Sequence, residues 1–118
     1  MKERDFSDYV RDILDSIQDV EEFISGITFE EFLQNKKINK AIIRSLEVLG
    51  EASKKIPDDI KTRYPDVPWK RMSGMRDKLI HEYFGVDLNI VWNVVKMLSS
   101  LERKQPIDGL KREKLIRP

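Results

Sequence analysis

The 118 residues include no cysteine, which excludes disulfides, thiol catalysis and thiolate metal sites. The single histidine, His81, is too little for a zinc site built on histidines of one chain. Glycine and proline number five each and are scattered, so there is no phosphate-binding glycine loop and no low-complexity tract. No apolar run approaches the roughly 20 residues of a membrane span, and the charged start Met1-Lys2-Glu3-Arg4-Asp5 is unlike a signal peptide. Strand-like alternation and internal repeats are also missing. The expectation is a soluble, cytoplasmic single domain with no membrane, metal or cofactor.

What the chain does have is charge and helical periodicity. Charged residues make up 36% and apolar residues 40%, enough for a modest core beneath a dense ionic surface. The net charge of +1 hides two blocks. Residues 1–35 hold ten acids and three bases, whereas residues 36–118 hold eleven acids and nineteen bases. A near-neutral total argues against indiscriminate coating of nucleic acid but leaves room for a local basic groove. The blocks themselves read as solvated faces or as partner-facing surfaces.

Phe6, Val10, Ile13, Ile17, Val20, Ile24 and Ile27 step by fours and threes, which predicts a long amphipathic helix capped by Asp5 and ended at Gly26. Thr28-Phe29-Glu30-Glu31 predicts a capping box and a short second helix to about Asn35. A third helix is expected from Lys36 to Ile56, with Ile38, Ile42, Ser45, Leu49, Ala52 and Ile56 on one face and Pro57 as its stop. Beside that face, Ile43, Leu46 and Gly50 form either a dimer contact or the margin of a wide core face. Pro57 to Pro68 reads as a connector with one helical turn. A fourth helix follows from Trp69 to Phe84, with Pro68 suited to its first turn and Gly85 closing it. Asp87 caps a fifth, carrying Ile90, Val91, Val94, Leu98 and Leu101 and stopping near Pro106. The fold class is all-α, a single-domain antiparallel bundle of four to five helices over residues 1–105, with a basic C-terminal tail over 106–118.

The fourth helix carries the chemistry. At about 100° per residue, Trp69, Met72, Leu79, Ile80 and Tyr83 all fall within about 60° of Arg76, so Arg76 sits inside the apolar stripe. A guanidinium there is either stapled to a carboxylate, with Glu47, Glu51 or Asp77 as candidates, or faces a site. Asp77 and His81 form an i, i+4 pair on the edge of that stripe, where the carboxylate could accept from the imidazole and fix its tautomer. Gly74 lies on the same edge, a helix-weakening residue that suggests close approach by a second helix or an RNA backbone. Arginine can hold a phosphate and stabilise charge on a phosphorane. Histidine can move a proton to or from a 2′-hydroxyl or a leaving oxygen. Such cleavage works best with an acid and a base, and a two-fold dimer would supply a second His81 and Arg76.

The octet Arg76-Asp77-Lys78-Leu79-Ile80-His81-Glu82-Tyr83 matches the R-x-x-x-x-H-x-Y signature of HepT-like HEPN proteins. Trp69, Gly74-Met75 and the Gly50-Glu51-Ala52 step resemble that family too, and the likeness covers essentially the whole chain. The resemblance implies the toxin of a prokaryotic toxin–antitoxin module, a metal-independent endoribonuclease acting on RNA as a homodimer. It implies catalytic roles for Arg76 and His81, with Asp77 at the polar position after the arginine. It further implies a nucleotidyltransferase antitoxin of the MNT type that transfers AMP from ATP onto Tyr83. Read from periodicity alone, Tyr83 is a core tyrosine with its hydroxyl at the rim. Two other readings stand beside the nuclease: a non-catalytic helical binding partner of a nucleotidyltransferase, and a plain bundle in which Arg76 is a buried ion pair.

Overall fold

The computed structural model describes residues 5–81, 87–104 and 109, and for residues 76, 78–81 and 102–104 it describes the backbone alone. Asp5 opens the first helix, α1 (Phe6–Ile24), by accepting from the Ser7 N–H at 2.8 Å. Val10, Ile13, Ile17 and Val20 are wholly buried, so the stepped apolar positions do form the inner face. The helix ends through Ser25 and Gly26, whose φ of 76° is a left-handed conformation that a side chain disfavours.

Thr28 and Glu31 then close a full capping box, with bonds of 3.1 and 2.9 Å, and start α2 (Phe29–Gln34). Asn35 turns the chain at once into α3 (Lys36–Lys54), its side chain accepting from the Ile38 N–H at 3.1 Å. This is the central element, packed against α1 and α5 and touched by α2. Ile42, Ser45, Leu49 and Ala52 are buried along it. Leu46 and Gly50 are buried as well and Ile43 packs against the core, so this strip is the margin of a wide core face within one chain.

The connector is more structured than one turn. It contains α4 (Asp58–Arg63), anchored by the buried Ile60. The loop that follows is pinned by the Trp69 indole N–H, which donates to the Tyr64 carbonyl at 3.0 Å. Pro68 stands just before α5 (Trp69–His81), its carbonyl accepting from the Met72 N–H at 3.0 Å. The expected helix end at Phe84 and Gly85 lies outside the described residues.

Asp87 caps α6 (Leu88–Lys104) through the Asn89 N–H at 2.8 Å. Val91, Val94, Val95, Leu98 and Leu101 are buried, but Ile90 is 38% exposed, against expectation. The reason is Trp92, about 160° away around the helix. Its ring packs on Phe29 and Phe32, with centroids 5.5 and 5.1 Å apart, and Lys96 lies over it at 5.0 Å. Seating that flank on α2 turns the opposite flank outward. Within the expected tail, Gly109 is buried and lies against the Tyr64 ring. The described residues thus form six helices and no strand, an all-α single domain, and none of the helices is long and apolar enough to cross a membrane.

Candidate functional site on the fifth helix

The inner face of α5 is set by Trp69, Met72 and Met75, which are 8%, 0% and 7% exposed. Arg76 follows Met72 by four residues and Trp69 by seven, so the backbone carries it on the same stripe. His81 lies about 7.5 Å of helical rise beyond Arg76 on α5. Asp77 stands between them in register. The helix therefore brings Arg76, Asp77 and His81 to its C-terminal half, while Tyr83 lies outside the described residues.

Asp77 has a partner that periodicity did not foresee. The ammonium of Lys54, the final residue of α3, donates to its Oδ1 at 2.7 Å. Both groups are partly in water, with side-chain exposures of 32% and 51%. The bond ties the C-terminal end of α3 to the middle of α5 across 23 residues of sequence. No local pattern reaches that far, and only the crossing of α3 with α5 brings the two together. The expected Asp77–His81 contact involves a side chain outside the described residues.

Two further features lie one turn before Asp77. Ser73 Oγ is buried with no hydrogen-bond partner among the described residues. Gly74 is exposed, and a Cβ built on it would meet nothing within 4 Å. Glycine in an exposed helix interior costs about 1 kcal/mol relative to alanine, and packing within the described chain does not require it here. Lys70 and Arg71, one turn earlier, are both exposed. An open groove at the α2–α3 corner, lined by Glu31, Gln34, Asn35, Lys36 and Lys37, lies at the other end of α3 and holds none of these residues.

Comparison with known proteins agrees with the motif. The family model described as Ribonuclease HepT-like matches residues 13–105, a segment that takes in all of α5. A protein of Thermococcus cleftensis named "Probable ribonuclease HepT" is 53% identical over 93 residues, covering 79% of this chain and 84% of that one. Two further relatives carry provisional RNase designations. One, from Methanocaldococcus jannaschii, is 50% identical over 95 residues, 80% of this chain and 78% of its own. The other, from Caldanaerobacter subterraneus subsp. tengcongensis, is 43% identical over 107 residues, 90% and 95% of the two chains. No solved structure gives a significant match. With a family model spanning most of the chain and relatives at half identity over four-fifths of it, the chain belongs to the ribonuclease HepT-like family.

Proposed function

We propose that this protein is a metal-independent endoribonuclease in which Arg76 and His81 carry the reaction. The observation that supports it best is their common placement on the C-terminal half of α5, with Asp77 between them, in a chain of a ribonuclease family. Arg76 would bind the scissile phosphate through its guanidinium fork and stabilise the charge that builds on the phosphorane. His81 would take the proton from the 2′-hydroxyl as that oxygen attacks phosphorus. A second His81, protonated and supplied by a two-fold partner, would give a proton to the departing 5′-oxygen. The products are a 2′,3′-cyclic phosphate and a 5′-hydroxyl end.

In this reading the protein is the toxin of a toxin–antitoxin module, held in check by a nucleotidyltransferase antitoxin. Transfer of AMP from ATP onto the Tyr83 hydroxyl, with release of pyrophosphate, would place a phosphate two residues from His81 and block the cleft.

The test is cleavage of total RNA in EDTA by wild type and His81→Ala, each first weighed by intact mass. Cleavage by wild type alone, leaving cyclic phosphate ends, supports the reading. Silence from an unmodified, dimeric wild type rejects it in favour of a non-catalytic partner of a nucleotidyltransferase. A mass raised by AMP directs the same assay to the deadenylylated protein.

A further inference from the structure

We infer that the exposed face of α5 around Gly74 is the track on which the RNA backbone lies as it enters the site, an inference that rests on the nuclease reading. Three observations converge on it. First, Gly74 stands on the exposed face of α5, with nothing within 4 Å of the position its Cβ would take. A glycine there weakens the helix and serves no packing contact among the described residues, which leaves room for a ligand's close approach.

Second, this position is bordered by cations. Lys70 and Arg71 precede Gly74 by four and three residues, so they flank it on the same face, and both are exposed. Third, Asp77, the acid that follows Gly74 on this face, is paired with Lys54 at 2.7 Å. An uncompensated carboxylate would repel a phosphate chain at this point, and Lys54 cancels that charge from the neighbouring helix. Lys55, exposed at the end of α3, adds to the same sign, while Glu51 stands half-buried one turn earlier on α3. The face therefore presents an open surface, rich in cations, that runs along α5 toward His81. A sugar–phosphate chain fits it in charge and in its need for close backbone approach. Direct contact with a second copy of the same basic face fits it less well, because like charges would meet with no anion between them.

The test uses the full chain on a His81→Ala background, so that a fluorescein-labelled, mixed-sequence single-stranded RNA stays intact during anisotropy titrations. Gly74→Ala is expected to raise Tm by about 3 °C through helix propensity and yet weaken RNA binding about threefold or more. Gly74→Leu is expected to weaken it at least ~10-fold with the oligomeric state in sedimentation unchanged. Lys70→Ala and Arg71→Ala should each reduce the slope of log K against log salt by about 0.7. Unaltered RNA affinity in Gly74→Leu, beside a wild type that still cleaves, overturns this inference alone. Loss of affinity together with dissociation of a dimer also overturns it, and assigns this face to a contact between copies. A wild type that neither binds nor cleaves RNA overturns the nuclease reading, and the track with it.

Discussion

Lys54 Nζ and Asp77 Oδ1 lie 2.7 Å apart, joining the last residue of α3 to the residue that follows Arg76 on α5. A bond at this place orients a carboxylate within the motif without burying it. Because both groups are partly solvated, its worth to stability is small, about 0.5 kcal/mol. Lys54→Met and Asp77→Asn should each lower the free energy of unfolding by under ~1 kcal/mol, and a double-mutant cycle in urea should return a coupling of about 0.5 kcal/mol that shrinks in high salt. A coupling of several kcal/mol would instead mark the pair as a buried staple.

His81→Ala should abolish RNA cleavage and leave helix content by circular dichroism at the wild-type level. Alanine favours a helix at least as well as histidine, so the exchange leaves α5 intact. Unfolding of the variant would assign His81 a structural role.

The core is predicted to fail at α3 before it fails at the edges. Leu49 is wholly buried in the central helix, and Leu49→Ala should cost about 2–5 kcal/mol through lost apolar burial and the cavity left behind. Leu33, 39% exposed on α2, should tolerate alanine within about 0.5 kcal/mol. Urea midpoints of the two variants compare the positions directly.

Gly109 packs so closely on Tyr64 that a Cβ there would stand 2.6 Å from Tyr64 Cδ1. Gly109→Ala should therefore lower Tm, because the Tyr64 ring must shift to admit the methyl group. In a Tyr64→Ala background the same change should cost less, because the ring is the obstacle. Equal Tm of wild type and Gly109→Ala would show that this contact does not constrain residue 109.

The capping box at Thr28 and Glu31 offers a local counterpart. Thr28→Ala removes one of its two bonds and should cost about 1 kcal/mol, read as a shift in the urea midpoint.

Most helix starts were legible because the groups that make them are neighbours in sequence. The expected caps Asp5, Thr28 and Asp87 each satisfy an N–H two or three residues on, as does Asn35, expected only as the end of α2, and such bonds depend on little beyond the local chain. The buried faces of α1 and α3 were legible for a related reason, since 3.6-residue periodicity is a property of each helix by itself. The α4 helix was less visible, being only six residues long and resting on the single buried side chain of Ile60.

The candidate site divides along the same line. The sequence by itself determined that Arg76, Asp77 and His81 share one helix, because spacing along an α-helix is fixed by its geometry. It also determined the all-α class, through unbroken helical periodicity. Only the tertiary structure decided that Lys54 meets Asp77, that Trp92 rather than Ile90 is covered by α2, that Leu46 and Gly50 lie within the core, and that Gly74 faces open space. Each of these depends on the angle and register at which separate helices cross. Those are settled by the sum of many side-chain contacts across the whole core and not by any short stretch of chain.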